Sequence, residues 1–249
     1  MVSIPAASAD ASRVSPHPGM GFVQFVALIA AMMAINAASI DIMLPALPAI
    51  GEALGVTEPN RRQLVITAYL LGFGAAQLVY GPLSDRYGRR PVLMGGLALY
   101  VLFSLLAAFA PTFETMLMTR ALQGVGAASI RVLSTSIVRD CYSGRRMARV
   151  MSLTFIVFLT APILAPIVGQ GIVSVAAWNW IFVALALFAA AVLLWAGARL
   201  PETLPQERRT PLSYAGVAGA FRTALTTRLA VGYMAASTLL FGSLMGFIN

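Results

Sequence analysis

Residues 81–91 read Gly81-Pro82-Leu83-Ser84-Asp85-Arg86-Tyr87-Gly88-Arg89-Arg90-Pro91 and separate two apolar runs, Gln63–Tyr80 and Pro91–Ala110. About 20 apolar residues cross the hydrocarbon of a bilayer as a helix. The quoted stretch is therefore a polar turn about as short as two consecutive membrane helices allow. Gly88 supplies a backbone that tolerates positive φ. Pro91 suits the first turn of the following helix. Asp85 and Arg89 are four residues apart, which pairs them if the segment is helical. Taken singly, each residue fits a tight turn with topology-setting arginines; the full pattern says more.

Outward from this turn, seven apolar stretches qualify as spans: Phe22–Leu47, Gln63–Tyr80, Pro91–Ala110, Phe113–Val138, Val150–Val175, Trp178–Ala198 and Leu229–Ile248. The 249-residue chain is 59% hydrophobic and only 10% charged, too little charge to cover a water-facing surface. The reading is an all-α membrane protein. A net charge of +8 would suit nucleic acid, but the charges sit in short gaps between apolar runs rather than along one amphipathic face. That excludes nucleic acid and makes the lipid bilayer the partner. The run from Phe22 is too long for the core of a secretory signal. Residues 1–21 read as a disordered cytoplasmic tail, 22–199 as a six-helix bundle, 200–228 as a cytoplasmic linker and 229–249 as a seventh span. Pro201, Pro205 and Pro211 punctuate the linker, which has room for one short interfacial helix near Tyr214–Leu225.

Arginine sets the orientation. With the N-terminus inside, the cytoplasmic segments hold Arg13, Arg86–Arg90, Arg139–Arg149 and Arg199–Arg228, whereas the outer loops hold only Arg61 and Arg62. Positive charge accumulates on the cytoplasmic side, so the N-terminus is placed there.

All 17 basic residues are arginine. Without lysine there is no Schiff base, which removes a retinal protein despite the matching size. The single histidine, His17, lies in the N-terminal tail and cannot activate a serine within the membrane. One cysteine, Cys141, permits no internal disulfide, and so few ligands argue against a metal site. No catalytic constellation for an enzyme is present.

Ionisable residues inside spans are expensive and point to function. Asp41 lies near the outer end of the first span, in the stretch from Asn36 to Pro45, and Arg120 near the outer start of the fourth, ahead of Gln123, Gly124 and Gly126. Each is about six residues, roughly 9 Å, below the outer surface. Equal depth and opposite sign predict a pair; alternatively each snorkels to the interface alone. Arg131, deeper toward the cytoplasm, faces either a central cavity or the inner interface.

Residues 81–91 resemble the signature G-x-L-x-D-R-x-G-R-[KR] that follows the second helix in the major facilitator superfamily. The resemblance implies a cytoplasmic latch made of Gly81, Asp85, Arg86, Gly88, Arg89 and Arg90. Asp85 would face a helix N-terminus in the other half of the transporter, and Arg89 would bridge to Asp140. The stretch Arg120-x-x-Gln123-Gly124-x-Gly126 resembles the family's fourth-helix motif, whose arginine is implicated in proton coupling. Asn36, Asp41, Arg120, Gln123 and Arg131 then become cavity candidates, with Asp41 exchanging a proton for substrate and Arg120 tuning it by proximity. Pro162, Pro166 and Gly169 resemble the antiporter signature G-P-x-x-G-G of the fifth helix, although Ala165 and Gln170 replace two of its glycines. Together with Leu200-Pro-Glu-Thr-Leu-Pro205, the pattern resembles the bicyclomycin-resistance group of drug exporters over residues 22–248.

This resemblance implies two three-helix inverted repeats and proton-coupled antiport of drug-like or small apolar compounds by alternating access. The partners would be a small-molecule substrate and protons at the inner membrane. No cofactor is expected, the proton gradient being the energy source. Transporters of the superfamily have twelve helices, so the chain corresponds to the N-terminal half plus helix seven. It would be a fragment, pair with a separately encoded half, or homodimerise. Transport of a native metabolite such as an amino acid or sugar, or a non-transporting scaffold, are the alternatives.

Overall fold

The computed structural model describes residues 20–210 and 226–248, all of whose regular elements are helical. The N-terminal tail to residue 19 and the interfacial helix expected at Tyr214–Leu225 lie outside the described residues. In order, the helices are α1 (Phe22–Asp41), α2 (Leu47–Ala53), α3 (Pro59–Arg62), α4 (Leu64–Tyr87), α5 (Arg89–Ala108), α6 (Phe113–Cys141), α7 (Gly144–Val175), α8 (Asn179–Arg199) and α9 (Arg228–Ile248). Six segments within residues 22–199 are long and apolar enough to cross a membrane, α2 continuing α1 and α3 leading into α4. Helix α9 falls in a second compact unit, residues 210–249, and is itself apolar.

Three boundaries differ from expectation. The first span is not one helix. It stops at Asp41, passes through a 3-10 turn at Leu44–Ala46 and resumes at Leu47. Pro45 has no N–H to give the carbonyl four residues back, nor does Pro48. Helix α4 continues seven residues past its apolar run and α5 starts two residues before its own, which leaves only Gly88 between them, at φ 99°. Lastly, α7 begins six residues before Val150 and runs unbroken through Pro162 and Pro166, as membrane helices tolerate.

Packing follows a simple exchange. The first helix of each triplet packs on the second helix of the other, α1 on α7 and α6 on α4, while α5 packs on both α6 and α8. Two inverted three-helix repeats produce this pattern. Glycine makes the closest approach possible: a Cβ on Gly124 would strike the carbonyl oxygen of Tyr69 on α4.

The apolar interior forms two clusters. One contains Leu28, Ile35, Tyr69, Leu97, Tyr100 and Leu133, and the other Met43, Val65, Ala107, Met116 and Phe182. Between them, α1 presents Asn36 and Ser39, α5 presents Ser104, and α6 presents Thr119, Arg120 and Gln123, all buried. A polar layer thus crosses the bundle. By contrast, α4 and α7 bury only 22% and 17% of their apolar stretch, against 61% for α1 and α6.

Gly124→Val should push α4 from α6 and cost about 1–3 kcal/mol, the usual range for overpacking. Thermal unfolding in detergent reads this as a lowered midpoint.

Candidate functional site

Arg120 is the largest fully buried side chain of the bundle. Its Nε donates to the carbonyl of Val65 at 3.3 Å, one Nη to the carbonyl of Ser39 at 3.0 Å and to Met43 Sδ at 3.3 Å, and the other Nη to Gln123 Oε1 at 2.5 Å. The guanidinium also lies over the rings of Tyr69 (4.4 Å) and Phe182 (5.8 Å). Carbonyl dipoles and aromatic faces therefore stabilise the charge. Among the described residues it has no acidic partner.

The expected pair with Asp41 does not form. Asp41, the last residue of α1, is half-buried and makes no ion pair among the described residues. The cause is angular. Arg120 takes the backbone carbonyl of Ser39, whose side chain turns to Tyr100, and Asp41 lies two positions on, or about 200° around a helix. The Asp41 side chain therefore leaves α1 in nearly the opposite direction from that of Ser39.

Gln123 extends the network. Its Nε2 donates to Ser104 Oγ at 2.6 Å, and Ser104 donates to the carbonyl of Tyr100 at 2.7 Å. The Tyr100 hydroxyl meets Ser39 Oγ at 2.6 Å. Asn36 is buried nearby on α1; its Nδ2 reaches the Met32 carbonyl at 3.5 Å, and its Oδ1 has no hydrogen-bond partner among the described residues. Arg131 stands apart, half-buried, with its guanidinium 5.6 Å from the centre of the Phe158 ring on α7. Ser39, Tyr69, Tyr100 and Ser104 escaped the sequence reading, because isolated hydroxyls in an apolar run carry no spacing signal.

At the arginine-rich end the sequence-derived pairs do form. Arg89 binds Asp85 at 2.6 Å and Asp140 at 3.0 Å, and donates to Ser84 Oγ at 2.5 Å. Ser84 Oγ in turn donates to the carbonyl of Gly81 at 2.9 Å. Arg86 points outward over the Tyr87 ring and stays out of this cluster. Arg90 donates to the carbonyl of Gly197 at 2.6 Å. Glu202 and Thr203 join from beyond α8 and had no assignable partner in the sequence.

The proline-rich stretch of α7 presents its small residues inward. A Cβ on Gly169 would meet the carbonyl of Ile42, with Pro45 beside it, so α7 seats directly on the break that ends α1. Pro166 is half-buried and Pro162 exposed. One turn toward the bundle centre, Ala38, Ile42, Ala161, Ala165, Leu185 and Phe188 belong to the lining of an open, almost wholly apolar cleft of about 530 Å³ between α1, α7 and α8.

Residues 28–249 match the family model described as Major Facilitator Superfamily. The chain belongs to that family, whose members are transporters rather than enzymes. It is 32% identical over 213 residues to a bicyclomycin resistance protein homolog of Haemophilus influenzae, covering 84% of this chain and 52% of that one. It is 36% identical over 175 residues to the multidrug resistance protein MdtL of Escherichia coli, covering 70% and 44%. The human organic anion transporter MFSD10 superposes with a TM-score of 0.60 at 25% identity, over 78% of this chain and 52% of that one. The chain spans about half the length of the curated relatives it matches.

Gln123→Leu would strand one Nη of Arg120 in a dry interior and remove the donor from which Ser104 Oγ accepts. The expected cost is about 1–3 kcal/mol, the penalty for an unsatisfied buried polar group. A thermal melt unchanged from wild type would show that the network carries no such weight.

Proposed function

We propose that the protein carrying this sequence exports small, fairly apolar compounds across the inner membrane in exchange for protons, by alternating access and with its N-terminus in the cytoplasm. One observation carries the reading: a polar layer built on a fully buried arginine lies beside an apolar cleft, and α1 ends within one turn of that cleft in a carboxylate that has no ion-pair partner among the described residues. Asp41 lies within one turn of Ala38 and Ile42, which line the cleft. A cleft of this size and character suits an apolar cargo. Such a carboxylate within a spanning segment is a functional candidate by default, and proton exchange is one of the roles open to it.

The coupling differs from a direct ion pair. Arg120 holds the Ser39 carbonyl at the end of α1, while Gly169 of α7 packs against Ile42. Protonation of Asp41 removes a charge from the short piece of α1 held at both these points. The position of that piece relative to α7 changes the width of the cleft. Arg131 lines the route further toward the cytoplasm, and the Arg89 cluster closes the cytoplasmic end as a latch. The names of the bicyclomycin-resistance and multidrug-resistance relatives support drug-like cargo. A second set of helices completes the cavity against the exposed faces of α4 and α7.

The gene that carries this sequence, expressed at full length in a pump-deficient host, tests the reading with a panel of small apolar drugs. Wild type should raise resistance several-fold, an uncoupler should abolish the protection, and Asp41→Asn should remove it while the protein still reaches the membrane. Wild-type resistance from Asp41→Asn would sink the proposed role of Asp41.

A further inference from the structure

The turn at Gly88 opens α5 without any side-chain cap of its own, although the first N–H groups of a helix need acceptors. The acceptor comes from 113 residues further along the chain. Glu202 Oε1 accepts from the N–H of Arg89 at 2.8 Å, and Oε2 from the N–H of Arg90 at 3.2 Å. The carboxylate also accepts from the N–H of Leu204, two residues on, at 3.0 Å, and has Arg209 at 3.9 Å. A negative charge at a helix N-terminus is favourable, and both oxygens are engaged.

Three further observations bind this contact to the Arg89 cluster. First, a Cβ at position 88 would collide with Glu202 Oε2, so the glycine that permits φ 99° also leaves the space the carboxylate fills. Second, Thr203 donates to the same Asp140 oxygen that accepts from Arg89, at 3.3 Å and 3.0 Å respectively. Third, the exchange is reciprocal. The Arg90 side chain caps the end of α8 at the Gly197 carbonyl, while Glu202, just past that end, caps the start of α5. Leu200 and Leu204, 1% and 7% exposed, pin this connector on either side.

We propose that Glu202 is a positioning residue that holds the first turn of α5 so that Arg89 reaches Asp85 and Asp140, tying the connector after α8 to the cluster. Displacement of residues 201–204 then releases Arg89, and release of Arg89 frees the connector. The proposal rests on the reading of the Arg89 cluster as a closure of this end of the bundle.

The chain carries its own reporter: its single cysteine, Cys141, is buried next to Asp140. The experiment measures the rate at which a small water-soluble maleimide labels Cys141 of the full chain in open membrane fragments. Glu202→Gln should raise the rate on the order of tenfold, as when a charge-assisted contact that limits a local opening is lost. Thr203→Val should raise it less. Arg89→Gln should raise it at least as much as Glu202→Gln, and the double variant should label no faster than Arg89→Gln alone, because one residue acts through the other. A Cys141→Ala/Ala107→Cys version reports the opposite end of α5 and should stay slow in the Glu202→Gln background. If it labels fast, global unfolding is responsible, and Thr203→Val alone decides. Wild-type labelling of Glu202→Gln, or rates that multiply in the double variant, overturns the proposal while leaving the closure reading intact. Wild-type labelling of Arg89→Gln overturns the closure reading itself.

Discussion

A guanidinium sealed inside a membrane bundle must be solvated by the protein or not at all. Arg120 meets this demand without an acid among the described residues. It draws on two backbone carbonyls, an amide oxygen, a thioether and two aromatic faces. Those groups come from α1, α4, α6 and α8, or from the turn following α1. The charge therefore fixes the register of four helices at one depth, and the two apolar clusters pack above and below it. Dipoles hold the charge more loosely than a carboxylate would.

The arginine-rich end works by a different logic. Here Arg89 is paired twice with acids, and the acids are partly exposed, at 44% for Asp85 and 21% for Asp140. Partly exposed ion pairs contribute modestly and respond to their surroundings. Such a cluster suits a closure that must open, whereas the Arg120 layer suits a fixed frame. Glycine serves both places: at Gly88 by its backbone angle, and at Gly124 and Gly169 by the absence of a side chain where another helix's carbonyl comes in.

Much of this was legible in the sequence. The six spans of residues 22–199 and the Gly88 turn followed from apolar run length and turn chemistry, and the Asp85–Arg89 pair from a four-residue spacing. The Arg89–Asp140 bridge was reached only through a family pattern, because its partners lie on different helices. Depth along a helix could be counted, but direction around it was misjudged for Asp41 and Arg120. The break at Asp41 shortened the first helix because two prolines act together, which run length alone overlooks. Ser39, Tyr100 and Ser104 were invisible for want of a period. Glu202 was quoted within a pattern, yet nothing local shows that a carboxylate will cap a helix that began 113 residues earlier.

The central claim is exchange of an apolar compound against protons. Its most direct test uses the full-length protein purified and reconstituted in vesicles that contain a pH-sensitive dye. Imposing a gradient of a transported drug, with no pH difference at the start, should drive protons in the opposite direction, and the Asp41→Asn protein should move none. Drug movement with no accompanying proton flux would contradict the account.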